Sequence, residues 1–229
     1  MDDEYFVEKV ETKSLSLGLR LAIAVIAVIL ISIFAVAFLQ RQAGDDQTEL
    51  VTDSTEGIAP SEPESATEQF QLGNTHYEAG RWEQAITAYQ KAIELDPNYQ
   101  AAYANLGVTY YQQHQFNLAA SQYEKALELN PEDGEVAYNL GVLYLQQALS
   151  QGGQPNPDLL DQAVSQLQLA SEMSPELAEP YFSLGVAYLA LNQNAEAIQA
   201  FNTFLSLDSG QDSQARQEAE RYLQTLQGQ

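Results

Sequence analysis

The feature that most constrains the fold is a sequence repeat that begins near Phe70. Four glycines, each preceded by a leucine, lie 34, 34 and 44 residues apart at Gly73, Gly107, Gly141 and Gly185. Aromatic, alanine and proline positions follow each glycine in the same order, apart from a ten-residue insertion in the third unit. A period in this range is typical of solenoids, whose units bury their apolar faces only by stacking on one another.

Each unit is predicted to be a helical hairpin. In the second unit, Gly107 and Tyr110 have the spacing of a first helix, and Ala119 and Tyr123 have that of a second helix. Glycine and alanine at facing positions let the two backbones approach closely while tyrosine fills the space beside them. Pro131 ends the second helix, because the residue before a proline avoids helical geometry.

This pattern resembles the tetratricopeptide repeat family in period and signature, over about residues 66–209. The resemblance implies an all-α solenoid of four helical hairpins followed by a capping helix, within a domain over 67–229. The implied repeats lie at 66–99, 100–133, 134–177 and 178–211, with the capping helix at about 212–227. His76 in the first unit and Phe204 and Ser209 in the fourth depart from the pattern, as end units commonly do.

A second constraint is an apolar segment near the N-terminus. Residues 21–39 contain no charge, and a helix of nineteen residues spans roughly the 30 Å hydrocarbon core of a bilayer. The alternative is a cleaved signal peptide, since Ala35-Val36-Ala37 resembles a cleavage site. The apolar run is longer than the usual signal-peptide core and continues past that site, which favours a retained transmembrane helix.

Basic residues near this segment predict its orientation. Lys9, Lys13 and Arg20 precede it, and only Arg41 follows closely. The positive-inside rule therefore places residues 1–20 in the cytoplasm and the repeats on the extracytoplasmic or lumenal side, with a cytoplasmic repeat domain as the alternative.

Residues 40–66 are predicted to be an acidic flexible linker. Between Gln40 and Glu68 there are eight acidic residues against one arginine, with Pro60 and Pro63 and no aromatic residue. Such a segment cannot bury enough apolar surface to offset the entropy of ordering.

A second apolar stripe on each first helix is the candidate partner-binding groove. Positions at i, i+4 and i+7 are mostly apolar. A helix that is apolar on two sides is either buried on both sides or binds a partner on one of them. The predicted groove residues are Phe70, Asn74, Tyr77, Val108, Tyr111, Tyr138, Val142, Leu145, Phe182, Val186 and Leu189. In the family these positions line the groove that holds a partner peptide. Packing between neighbouring first helices is the open alternative.

The resemblance also implies what this groove does not bind. Chaperone-binding relatives grip a terminal carboxylate with asparagines and three basic residues. The corresponding positions here are Phe70, Asn74, Asn105, Glu135 and Asn139. All three basic residues are missing, so we expect no binding to the acidic tails of heat-shock proteins. The groove suits an apolar or aromatic segment whose basic edge would meet Glu78, Glu135 and Glu179.

Other chemistries lack candidate residues. The formal charge of −23, from 32 acidic and 9 basic residues, disfavours nucleic-acid binding. There is no cysteine, and His76 and His114 have no carboxylate at metal-ligand spacing. No phosphate-binding loop or nucleophile motif is present. We therefore predict a protein that is not an enzyme and uses no metal, cofactor or small-molecule substrate. The insertion at about 149–158 is predicted to be a surface loop.

The combination of one anchor and a repeat domain resembles single-anchor proteins of the bacterial inner membrane and the thylakoid that assist the assembly of membrane complexes. It implies a scaffold that binds protein partners, in particular membrane proteins or their apolar segments. An assembly factor or chaperone-like adaptor, for example for photosystem or secretion machinery, is the first hypothesis. A permanent structural subunit of a membrane complex is the alternative.

Overall fold

The computed structural model describes residues 65–150, 154–208 and 213–228, and in these ranges it contains nine helices and no strand. The helices are α1 Ala66–Glu78, α2 Trp82–Leu95, α3 Gln100–Gln112, α4 Phe116–Leu129, α5 Gly134–Ser150, α6 Pro157–Met173, α7 Glu179–Ala190, α8 Asn194–Leu207 and α9 Ser213–Gln227. The predicted segments 1–20 and 21–39, and the linker up to residue 64, lie outside the described residues.

The helices form four consecutive hairpins. Each helix up to α8 packs most extensively against the other member of its pair, and each second helix packs against the first helix of the next pair. The prediction of an all-α solenoid of stacked hairpins is confirmed for the described ranges. No helix within these ranges has both the length and the hydropathy needed to cross a bilayer.

Local sequence signals set where the helices begin and turn. At the start of α1, the backbone N–H of Glu68 donates to Ser65 Oγ over 3.1 Å, while Ser65 N–H donates to Glu68 Oε2 over 2.9 Å. The turns of the first, second and fourth hairpins close through one left-handed residue at the same repeat position, namely Gly80, His114 and Asn192 with φ of 69°, 58° and 60°. His114 therefore occupies a structural turn position.

The repeated glycines allow close contact within each hairpin. A Cβ atom on Gly107 would lie 2.7 Å from ring atoms of Tyr123, and one on Gly185 would lie 2.5 Å from Phe201 Cε1. Gly73 faces Tyr89 in the same way. The repeated alanines Ala85, Ala119, Ala163 and Ala197 are fully buried. The predicted role of small residues in bringing the paired helices together is confirmed.

The insertion in the third unit corrects one expectation. The two helices are separated within the predicted range of about 149–158, but the connection is shorter than expected. Most of the added residues lengthen the helices, since α5 and α6 each have 17 residues against 13 in α3 and 14 in α4. Only residues 151–156 separate them. Ala148, Leu149 and Leu160 are buried, so apolar packing continues beyond the usual turn. Asn156 then caps α6 by accepting from the backbone N–H groups of Asp158 and Leu159.

The C-terminal end of the solenoid is covered by α9. Its Tyr222 ring stacks on Phe201 with a centroid distance of 5.2 Å, and Ala219 and Leu223 are buried. Arg216 donates to the carbonyl oxygens of Leu205 and Asp208 and forms an ion pair with the Asp208 carboxylate. This helix has the position and amphipathic character predicted for a capping helix.

The N-terminal end is different. Leu72 is 43% exposed, whereas its repeat equivalents Leu106, Leu140 and Leu184 are 3%, 2% and 5% exposed. Each of those three belongs to a first helix that packs on a preceding second helix, and no such helix precedes α1 in the described ranges. Leu72 instead lines a shallow cleft of about 390 Å³ together with Gln69 and His76.

Candidate partner-binding groove

The predicted groove residues all lie on the first helices α1, α3, α5 and α7, but they divide into two groups. The partly exposed group is Phe70, Asn74, Tyr77, Val108, Tyr111, Tyr138 and Leu189. The buried group is Val142, Leu145, Phe182 and Val186, which are 6%, 1%, 2% and 0% exposed. We call the exposed side of α1, α3 and α5, which carries all of the first group except Leu189 on α7, the groove face. The buried residues offer a partner almost no surface in this structure.

Packing explains the burial in the third and fourth units. The Phe182 ring lies 5.8 Å from the Phe201 ring and 5.1 Å from the Phe204 ring, both on the second helix of its own unit. Helices α5 and α7 also contact each other directly. Phe182 is therefore buried against the second helix of its own unit, and not only between neighbouring first helices as the alternative expected. The groove as a binding site stays a prediction and rests on the exposed group.

A hydrogen-bond network ties α1 to α3 and α2 at the groove face. Asn74 Oδ1 accepts from the Tyr89 hydroxyl over 2.8 Å and from Asn105 Nδ2 over 2.9 Å. Asn74 and Asn105 are the two asparagines that match the carboxylate-binding positions of chaperone-binding relatives. In this chain the Asn74 oxygen and the Asn105 amide are already paired with each other, and the pair links two consecutive units.

Two glutamines link tyrosines across neighbouring first helices. The Tyr111 hydroxyl donates to Gln146 Oε1 over 2.7 Å, and the Gln112 side chain interacts with the Tyr77 hydroxyl and partly opposes the rise that burial causes in the Tyr77 pKa. Gln112 and Gln146 are 34 residues apart and each follows the stripe position of its unit. The sequence analysis missed both, although their recurrence at the repeat interval was a detectable signal. These bonds hold the tyrosine rings of the groove face in fixed positions.

The tyrosine rings rest on aromatic residues at the start of the second helices. Tyr77 meets Trp82 edge-on at 5.0 Å, and Tyr111 meets Phe116 at 5.6 Å. Burial raises the pKa of both Tyr77 and Tyr111, and the neighbouring Tyr138 raises the pKa of Tyr111 further. The phenols are therefore neutral at physiological pH. Each presents a ring and a hydroxyl dipole but no charge.

The acidic side chains of the first helices have no lysine or arginine partner within those helices. The helices α1, α3, α5 and α7 contain no lysine or arginine. Their acidic residues are Glu68, Glu78, Glu135 and Glu179. Desolvation, and then the charge of Asp133, raise the pKa of the Glu135 carboxyl. The first helices therefore combine neutral aromatic rings with carboxylates that have no lysine or arginine in the same helix.

The basic residues of the described ranges lie elsewhere. Lys91, Lys125 and Arg221 form ion pairs with Glu94, Glu128 and Glu218 on the second helices and α9, and Arg216 pairs with Asp208. Arg81, in the turn after α1, donates to His76 Nδ1 over 3.0 Å. Within these ranges no three metal-ligating side chains lie close enough to hold an ion.

Comparison with known proteins identifies the repeat. A family model described as TPR repeat matches residues 73–114, and models described as tetratricopeptide repeat match 101–133, 122–155 and 178–211. Together the matched residues make up about half of the chain. Among curated proteins, none matches this chain.

Solved structures show the same fold. A crystal structure of MamA protein has 24% sequence identity and a TM-score of 0.59, and the match covers 71% of this chain and 90% of that one. MamA from Desulfovibrio magneticus RS-1 has 16% identity and a TM-score of 0.58, over 71% and 93% of the two chains. A chain in the APC/C hetero-tetramer Cut9–Hcn1 has 20% identity and a TM-score of 0.57, over 69% and 30%. Identities this low establish the fold alone.

Proposed function

This chain belongs to the tetratricopeptide repeat family, and from that premise we propose that it is a membrane-anchored scaffold that assists the assembly of membrane protein complexes. Its repeat domain is a protein–protein interaction module of the kind that the family fold provides. The further proposal is that one transmembrane helix over 21–39 keeps this module close to a bilayer, where its partners are membrane proteins or their apolar segments.

The observation that carries the binding role is the groove face. Tyr77, Tyr111 and Tyr138 remain partly exposed on three successive first helices, and Val108 adds aliphatic surface between them. Aromatic residues with restricted freedom are frequent at interface hot spots, because they bury a large area at a small entropic cost. A row of such residues on adjacent repeats fits an extended segment that contacts several units at once.

The anchor supports the membrane part of the proposal. Residues 21–39 have the length and hydropathy of a transmembrane helix, and the basic residues before it favour a cytoplasmic N-terminus. On this proposal the protein lies in a bacterial inner membrane or a thylakoid, with its repeats on the extracytoplasmic or lumenal side. A tethered groove would meet partners in the same membrane at high effective concentration.

Single-cysteine labelling tests the anchor and its orientation. The chain has no cysteine, so Ser14→Cys and Ser54→Cys each introduce one unique thiol on either side of the predicted span. In intact spheroplasts, a membrane-impermeant maleimide should label the Ser54→Cys variant at once and the Ser14→Cys variant only after lysis. Labelling of both without lysis, or release of the protein by alkaline carbonate, would contradict the anchored topology.

Native electrophoresis after mild detergent extraction separates an assembly factor from a permanent subunit. An assembly factor should migrate with partly assembled complexes and be absent from, or sub-stoichiometric in, the mature one. A band in which this chain is stoichiometric with every other subunit would replace the assembly role with the structural-subunit alternative.

A further inference from the structure

We propose that the groove face selects partner segments that combine aromatic or aliphatic anchors with lysine or arginine, and that it discriminates against acidic segments. This inference rests on the proposed function, because it specifies which chemistry the same groove accepts. It arises from the separation of charge between the first helices and the remaining helices, together with the polar contacts already made on that face.

Lysines and the groove-side glutamates lie on different sets of helices in this repeat domain. The lysines lie on second helices, where each is ion-paired one turn away with a glutamate. On the groove side, Glu78 and Glu135 have no lysine or arginine within their own helices. A cationic segment would supply the missing countercharges, whereas an acidic segment would add a third negative charge near Glu135 and Asp133.

The tyrosines add a second preference for cations. A partly exposed tyrosine ring attracts an ammonium or guanidinium group to its face, and the attraction grows as the pair is desolvated. Tyr77 and Glu78 are adjacent at the end of α1, and Tyr138 lies one helical turn from Glu135 on α5. An arginine or lysine of the partner could therefore contact a carboxylate and a ring at the same place. Apolar side chains next to that cation in the partner segment would contact Val108 and Tyr111.

One amide pair on the groove face is bonded within the solenoid. The Asn105 amide donates to Asn74 Oδ1, and that oxygen also accepts from Tyr89. The first helices contain no lysine or arginine, and these are the charge-assisted donors that would hold a carboxylate. The selectivity follows from electrostatic complementarity, which governs specificity more than total affinity.

Defined peptides and the full-length protein in detergent test the proposal. The probe is a fluorescent peptide of lysine, leucine and tryptophan. Two further peptides of equal length carry glutamine or glutamate in place of each lysine. Fluorescence anisotropy should give an affinity on the order of tenfold higher for the lysine peptide than for the glutamine peptide, a difference of about 1.4 kcal/mol. It should show no measurable binding of the glutamate peptide.

A matched pair of variants locates the effect. Glu78→Lys combined with Glu135→Lys should lower the affinity for the lysine peptide by about tenfold or more, and the glutamate peptide should then bind measurably. Glu172→Lys combined with Glu176→Lys changes the net charge equally on exposed residues of α6 and the turn after it, so it should leave both affinities nearly unchanged. Circular dichroism of each variant checks that the helices are retained.

The outcomes separate this inference from the function on which it rests. Equal weakening by both charge reversals would mean that the lysine peptide senses only net charge, and this would overturn the inference. Equal affinity for the glutamine and lysine peptides would also overturn it. If a groove variant weakened both peptides, the scaffold function would still stand. The scaffold function itself fails only if groove positions capture no native partner, which is a different measurement.

Discussion

At the scale of single residues, one contact type recurs through the solenoid: a glycine of the first helix faces a ring or leucine of the second. Gly73, Gly107 and Gly185 meet Tyr89, Tyr123 and Phe201, and Gly141 meets Leu167. The contact brings two helical backbones together and buries the larger side chain almost completely. The repeated glycine is therefore a packing residue, since it has the ordinary helical backbone of its neighbours.

The first prediction concerns Gly107→Ala. In an exposed helix this change would stabilise by about 1 kcal/mol through helix propensity. Here the new methyl group would lie 2.7 Å from Tyr123, so overpacking should outweigh that gain and reduce the free energy of unfolding by roughly 1–3 kcal/mol. Urea denaturation followed by circular dichroism measures the change. The exposed Ser121→Ala on α4 is the control, and a more stable Gly107→Ala variant would refute the packing role.

The second prediction concerns alkaline pH and the capping helix. Burial, and then the charge of Glu218, raise the pKa of Tyr222 from 10.0 to about 12, with Arg221 opposing the shift. The folded state holds the proton more tightly than the unfolded state. The associated stability is therefore complete below pH 10 and is lost as pH rises through about 12. Tyr222→Phe should make the free energy of unfolding fall less steeply between pH 10 and 12, and identical pH profiles would contradict this account.

At the scale of helices, the units are joined through a repeated contact between each second helix and the next first helix. Tyrosine hydroxyls take part at each junction: Tyr110 accepts from Gln90 over 3.1 Å, and Tyr188 accepts from Gln168 over 2.8 Å. Tyr144 makes the equivalent bond by donating to the Glu124 carboxylate. In the first unit His76 takes the tyrosine position, where the described chain provides no preceding helix.

The third prediction compares equivalent leucines inside and at the end of the stack. Leu106→Ala removes a side chain that is 3% exposed and should cost about 2–5 kcal/mol. Leu72→Ala removes one that is 43% exposed and should change the free energy of unfolding by less than about 1 kcal/mol. Chemical denaturation of the two variants measures the difference. Equal losses would mean that something covers Leu72 in the folded protein.

The same scale shows how far the sequence could predict the structure. Repeat spacing was enough to place the hairpins, because helical periodicity and the Gly, Ala and Pro positions recur in register. It could not separate exposed from buried stripe residues: Val108 and Val142 occupy the same repeat position, yet Val142 is buried and Val108 is partly exposed. That difference depends on the tertiary packing around each position, which no local pattern encodes.

The insertion shows a second limit. Glycine and proline around residues 152–157 correctly indicated a break in the helical pattern. They also concealed that Ala148, Leu149 and Leu160 continue the apolar stripes of the two helices and belong to the buried core. A turn signal locates the end of a helix only when the apolar periodicity ends at the same place. Here the periodicity continued for about one more helical turn on each side of the connection.

At the scale of the whole molecule, the distribution of charge decides which partners are compatible with the scaffold. The net charge of −23 is far from zero and adds long-range repulsion of acidic partners to the local effect of the groove carboxylates. Lys91, Lys125, Arg216 and Arg221 form ion pairs on other helices, and Arg81 lies in the turn after α1, where it donates to His76.

The fourth prediction follows for acidic tails. A peptide with the sequence of a cytosolic heat-shock protein C-terminus should show no micromolar binding to the full-length protein in calorimetry. The reason is that Glu135 stands where chaperone-binding relatives have a basic residue, and the neighbouring asparagines are hydrogen-bonded within the solenoid. Glu135→Lys alone should not create such binding, because the other two cations would still be missing. Detectable binding by the unaltered protein would contradict the electrostatic account.

Site-specific photocrosslinking in the native membrane tests most directly whether the groove face holds a partner. A photoreactive amino acid would replace Tyr138 on the groove face, Glu172 on the exposed side of α6, or Gln154 beside the insertion, each in the full-length chain. The account predicts that Tyr138 crosslinks a membrane-protein segment that mass spectrometry identifies, and that Glu172 and Gln154 do not. Capture through Gln154 or Glu172 with none through Tyr138 would place the interaction elsewhere and contradict the groove as the functional site.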